Sequence, residues 1–133
     1  MKYSYYSDRI MHYLTYLPNA GERQVDNKTI FFSEIGDVTK HLKIKLYIEF
    51  DDAIIKRVNY LVYGDGYIIA ALGKLSEDLC GLRSKQALNY SFSDLADYLT
   101  IPQSKLEQLK LIKNCLNKVI SQNLSYQNIQ PNI

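Results

Sequence analysis

Leu42-Lys43-Ile44-Lys45-Leu46-Tyr47-Ile48-Glu49-Phe50 alternates apolar and polar residues without a break. That is the period of a strand with one face buried and one face wet. The alternation predicts a strand over about 38–50. Asp51-Asp52 then supplies turn chemistry, and a strand over about 54–63 returns from it as a hairpin. Upstream, Lys28-Thr29-Ile30-Phe31-Phe32 predicts another strand over about 28–34. Three strands with short connections make an antiparallel meander with one buried face.

Beyond Gly64-Asp65-Gly66 the period changes from two to that of a helix. Ile68, Ile69, Leu72, Leu75 and Leu79 share one face of a helix expected to close near Cys80, with Gly81 as its left-handed cap. A short helix is expected over Ser84–Leu88, and Ser91 or Ser93 can cap another that runs to about Leu99. Pro102 suits the first turn of a final helix, whose stripe is Leu106, Leu109, Ile112, Leu116, Val119 and Ile120. Ahead of the sheet, Tyr6, Ile10, Tyr13, Leu14 and Leu17 predict a helix over 6–17, capped by Ser7 or Ser4 and ended by Pro18-Asn19-Ala20-Gly21. The expected fold is α+β: a two-layer sandwich of an N-terminal helix, a three-stranded antiparallel sheet, then C-terminal helices. A single domain is expected over 1–122, with 123–133 as a flexible tail, because the residues after Ile120 are rich in Ser, Gln and Asn.

Composition narrows the function classes. Hydrophobic residues at 47% and charged residues at 23% are ordinary for a globular domain, which argues against disorder. No apolar run reaches the ~20 residues of a bilayer span, and the stretch Met1–Asp8 has no apolar signal segment, so no membrane partner is expected and the expected compartment is the cytoplasm. A net charge of +2 with Lys and Arg dispersed among acids gives no nucleic-acid footprint. Cys80 and Cys115 lie outside any CxxC spacing, so each reads as a small buried hydrophobe. His12 and His41 have no second ligand at metal spacing and read as surface or packing residues. No Ser elbow, phosphate loop or acid–base pair is present, so the chain is not expected to be an enzyme. Among 12 tyrosines, Tyr3, Tyr5, Tyr6, Tyr13 and Tyr16 crowd the N-terminus, where they could cover a partner or a second copy of the chain.

Three segments in order carry a resemblance. Ile35-Gly36-Asp37, Tyr63-Gly64-Asp65-Gly66 with its apolar helix, and Ile101-Pro102-Gln103-Ser104-Lys105-Leu106-Glu107-Gln108 resemble the IscU/NifU-type iron-sulfur cluster scaffold family. The family's versions look like Cys-Gly-Asp, Tyr-Gly-Cys-Gly and Leu-Pro-Pro-Val-Lys-x-His-Cys. Tyr6-Ser7, His12-Tyr13 and the Pro18–Gly21 turn echo its opening helix. The resemblance implies the family's fold and a place in iron-sulfur cluster assembly.

It also implies that the family's ligand positions fall on Ile35, Asp65, Glu107 and Gln108. None keeps a thiolate or imidazole, the soft donors that a [2Fe-2S] cluster requires, so no such cluster is expected. Two readings stay open. One is a non-ligating scaffold paralogue that binds a cysteine desulfurase or another assembly protein, with no cofactor of its own. The other is a divalent metal (iron) site in which Asp37, Asp65 and Glu107 converge as oxygen ligands. The family's chaperone-recognition segment falls on Ile101–Lys105, where only Pro102 and Lys105 are retained.

Overall fold

A computed structural model describes residues 6–37, 39 and 41–129. Tyr3, Tyr5, the alternative cap Ser4 and the Pro131 segment lie outside the described residues. The order is α1 (Asp8–Tyr16), β1 (Ile30–Asp37), β2 (Leu42–Asp51), β3 (Ile54–Tyr63), α2 (Gly66–Leu79), α3 (Ser84–Ala87), α4 (Phe92–Leu99), a 3-10 turn (Gln103–Lys105) and α5 (Leu106–Ile129). The strands pair antiparallel in the order β1-β2-β3. This is the expected α+β arrangement of one helix, a three-stranded sheet and C-terminal helices.

The alternation in β2 does what its period dictates. Ile44, Leu46 and Ile48 are fully buried beneath the helices, and Ile44 and Ile48 stand in register with apolar residues on either side. Phe31↔Ile48↔Val58 and Ile35↔Ile44↔Val62 are two such rows. Burying one such aliphatic side chain is worth about 1.5–3 kcal/mol. A register shift beside Glu49 and Phe50 re-aims the hairpin's end without inverting the core face. β2 starts at Leu42, not at 38, because His41 takes a left-handed conformation (φ 61°) that a strand cannot hold. The opposite face is not simply wet. Tyr47 is buried there beside Phe32, ring centroids 5.1 Å apart. Across the same face, Arg23 reaches Glu49 (2.7 Å) and Asn59 (3.2 Å).

The sheet's edges are finished differently. On β3, Gly21 N donates to the Tyr60 carbonyl, Ile55 N to Leu82 and Gly81 N to Ile55 (each 2.8 Å). On β1, Gln122 Nε2 donates to the Phe32 carbonyl (2.9 Å).

Ser7 caps α1, its hydroxyl accepting from Ile10 N, and Ser91 caps α4 in the same way through Asp94 N. α1 lies so close to α2 that a methyl at Gly73 would sit 2.8 Å from the Tyr13 ring. Pro102 precedes the 3-10 turn in an extended conformation (φ −68°, ψ 153°), so it introduces the last helix from one step outside the first turn. The principal departure from expectation is α5. It does not fray after Ile120 but continues to Ile129, past the expected boundary at 122. Asn123 is fully buried, accepts from Ser84 Oγ (2.8 Å) and donates to the Asp52 carbonyl (3.3 Å). The polar composition that read as a tail is an interface with the β2–β3 hairpin.

Candidate functional site

The three segments meet at one end of the sandwich, but not as a ligand set. Asp65 occupies the junction of β3 and α2 as the N-cap (φ −83°, ψ 177°), and its Oδ1 accepts from Ile68 N at 3.2 Å. An acid there satisfies one of the helix's unpaired donors and faces the positive end of the helix dipole. Its other oxygen lies 2.5 Å from Lys105 Nζ, both side chains about one-third exposed. That hydrogen bond raises the Lys105 ammonium above its ordinary pKa. Pro102 sets the 3-10 turn, in which Lys105 N donates to the Pro102 carbonyl (2.9 Å), and the turn aims Lys105 back at Asp65. Next to this pair, Gly66 admits the Tyr6 ring, which a Cβ would meet at 2.7 Å. Tyr6 in turn sits edge-on to Tyr67, centroids 4.9 Å apart.

Around the ion pair lies an open cleft of about 390 Å³ lined by His41, Tyr63, Gly64, Asp65, Lys105 and Gln108. Gln108 Oε1 is buried there with no hydrogen-bond partner among the described residues. Of the four family ligand positions, Asp65 and Gln108 share the cleft. Ile35 does not; it pairs with Ile44 on β1 and packs on the core. Gly36 beside it must be glycine, because it has φ +84° and a Cβ would collide with the Leu42 carbonyl. Glu107 turns away: its side chain is 84% exposed and pairs with Lys110 at 3.0 Å. One position along a helix rotates a side chain by about 100°, enough to separate it from Gln108.

The expected convergence of Asp37, Asp65 and Glu107 on a divalent metal is therefore not met. Asp37 accepts from the Thr39 hydroxyl, Asp65 holds Lys105, and Glu107 holds Lys110. Among the described residues no group of three or more His, Cys, Asp or Glu is placed to hold a metal ion. The donor set does not fit a [2Fe-2S] cluster either. An alkyl group, a carboxylate already paired with an ammonium and a neutral amide present no soft donor.

The cysteines do not compensate. Cys80, expected to be buried, is exposed at the far end of α2, about 20 Å of helix from Asp65, because the residue that closes the helix faces solvent. Its thiol donates to the Ser76 carbonyl (3.3 Å). Cys115 is buried on α5 beside Ser33 Oγ (3.4 Å), and burial pushes its thiol pKa up. His12 is an exposed surface residue stacked near Tyr13 and Tyr16. His41 reaches the cleft without a second ligand. Lys105 is the cleft residue whose role was not read from sequence. Its three-residue spacing from Gln108, which puts both on one helical face, was the available signal.

No family model matches the chain. It is 25% identical over 115 residues to the iron-sulfur cluster assembly protein IscU of Plasmodium falciparum (isolate 3D7), covering 86% of this chain and 71% of that protein. Two solved structures share the fold. One is a protein of Fervidobacterium islandicum AW-1 described as an iron-sulfur cluster assembly scaffold for the SUF system (TM-score 0.69, 16% identity, 86% of this chain and 96% of that one). The other is the N-terminal part of a NifU-like protein of Brucella abortus (TM-score 0.61, 8% identity, 94% and 95%). No helix among the described residues is long and apolar enough to cross a membrane. The three marked loops, the element order and the sequence match converge: the chain has the fold of the IscU/NifU-type iron-sulfur cluster assembly scaffolds and is similar in sequence to an IscU protein.

Proposed function

We propose that this chain is a non-ligating member of its family, which serves iron-sulfur cluster assembly in the cytoplasm by binding assembly partners, a cysteine desulfurase or another scaffold. It acts as a binding protein, not as an enzyme. The observation that carries the reading is the double use of Asp65: one carboxylate oxygen caps α2 and the other pairs with Lys105. The position where the family presents a thiolate is filled by a cross-link internal to the chain. With Ile35 in the sheet and both cysteines elsewhere, a desulfurase would find no sulfur acceptor in the cleft.

The test is anaerobic reconstitution with ferrous iron, cysteine and a desulfurase, followed by iron and sulfide analysis and a visible spectrum. A colourless protein without stoichiometric iron and sulfide, retained on an immobilised desulfurase or scaffold, is the expected result. Stoichiometric iron and sulfide with cluster absorbance, or no retention on either partner, refutes the proposal.

A further inference from the structure

On the other side of the 3-10 turn, and sharing no residue with the cleft, lies a larger open groove of about 440 Å³ between α4 and the start of α5. Its floor is apolar: Phe92, Ala96, Ile101, Leu106 and Leu109. Leu106 is 37% exposed, an expensive placement for a leucine at the mouth of a concave surface. Lys110 and Lys113 form the α5 wall. Lys113 makes no ion pair among the described residues, and Lys110 is held only by Glu107 across a solvent-exposed contact that an incoming carboxylate can replace at little cost. Asp97, on the α4 wall, is the one acid lining the groove and is likewise unpaired among the described residues.

We propose that this groove docks an acidic amphipathic segment of another protein, with apolar side chains over Leu106 and Ala96 and carboxylates against Lys110 and Lys113. An apolar strip flanked by a charged wall is how helix-in-groove recognition divides affinity from register. α5 runs on from the groove through about 24 Å of helix between Lys113 and Ile129, so its described end does not fold back over it. Two lysines against one acid leave the groove's charged rim net positive, and that favours an acidic occupant over a neutral or basic one. The inference does not rest on the fate of the cluster site.

The test titrates ¹⁵N-labelled full-length protein with a synthetic helical peptide of about 15 residues carrying Leu at i, i+3 and i+7 and Glu on its flanks. A second peptide carries Lys in place of Glu. The acidic peptide should shift amides confined to 92–113 and bind about tenfold tighter than the basic one. Lys110→Glu with Lys113→Glu should reverse that preference. Leu106→Ser should weaken the acidic peptide while the protein stays folded, with an unchanged far-ultraviolet circular dichroism spectrum and at most a modest fall in Tm. Equal binding of both peptides, shifts centred elsewhere, a preference unmoved by the lysine variant, or no binding of the acidic peptide each overturns the proposal. None of these outcomes bears on reconstitution at the cleft.

Discussion

Asn123→Ala is the most searching perturbation of the fold, because it separates a docked helix from a loose tail. The side chain is fully buried, accepts from Ser84 Oγ at 2.8 Å and donates to the Asp52 carbonyl at 3.3 Å. Removing it deletes two hydrogen bonds of about 1 kcal/mol each and leaves a small void. Part of the loss is recovered, since Ser84 Oγ also lies 3.3 Å from the Ala53 carbonyl and can turn to it. The balance is about 2–3 kcal/mol, a large share of the roughly 5–15 kcal/mol that holds such a domain together. For a chain of this size the Tm should fall by roughly 8–12 °C. Urea unfolding followed by far-ultraviolet circular dichroism measures the free energy. Ser84→Ala, alone and combined, should reveal a coupling of about 1 kcal/mol between the two side chains. A Tm change under about 2 °C with an unchanged m-value would mean that the buried Asn123 contacts contribute nothing to stability, and the reasoning would be refuted.

Three further outcomes follow from the site and the core. Asp65→Ala loses a helix cap of about 1 kcal/mol in addition to the ion pair, so it should destabilise more than Lys105→Met in urea unfolding. Because Lys105 has a raised pKa in the fold, the stability it adds should be fully present at neutral pH. It should disappear as the pH climbs beyond the ordinary lysine value of about 10.4, a loss visible in the wild type and missing in Lys105→Met. Tyr60 is buried with its hydroxyl unpartnered among the described residues, and burial pushes it up to about 12. Tyr60→Phe should therefore be neutral or stabilising by up to about 1 kcal/mol, and it should remove one component of the wild type's loss of stability above about pH 10, as followed by thermal melts. Finally, a thiol reagent with mass-spectrometric readout should modify Cys80 in the native protein and reach Cys115 only in denaturant, since one is exposed and the other buried with a raised pKa. Equal labelling would contradict the packing of α5 on β1.

What could be read from the sequence was whatever a local period carries. The β2 alternation, the Gly64-Asp65-Gly66 switch to helix and the serine caps are decided within a few residues, and each is where the pattern put it. The end of α5 escaped because its evidence is not local. Ser and Asn favour caps and turns in isolation, yet Gln122 and Asn123 meet partners about 90 and 70 positions away on β1 and the hairpin. The exposure of Cys80 escaped for a related reason: residue type predicts average burial, whereas the position at a helix end decides the case at hand. At the cleft, the loss of soft donors was plain from residue identity. The Asp65–Lys105 pair was not, because 40 positions separate its members and the turn set by Pro102 brings them together. Nor does local sequence report the spacing of Asp37, Asp65 and Glu107, which lie at the end of β1, the cap of α2 and the first turn of α5.

The finish of the sheet's edges bears on how copies of this chain treat one another. An unsealed strand is a template on which a neighbour's backbone can add itself, the first step of domain swapping and of fibre growth. β3 is engaged by the chain's own loops at Ile55 and Tyr60, which leaves β1 as the less protected of the two edges. There Gln122 occupies the Phe32 carbonyl, and the left-handed Gly36 bends the strand's end out of extended form. The last turns of α5 therefore cover part of that edge. A partly unfolded form that releases α5 before the sheet would be the aggregating species.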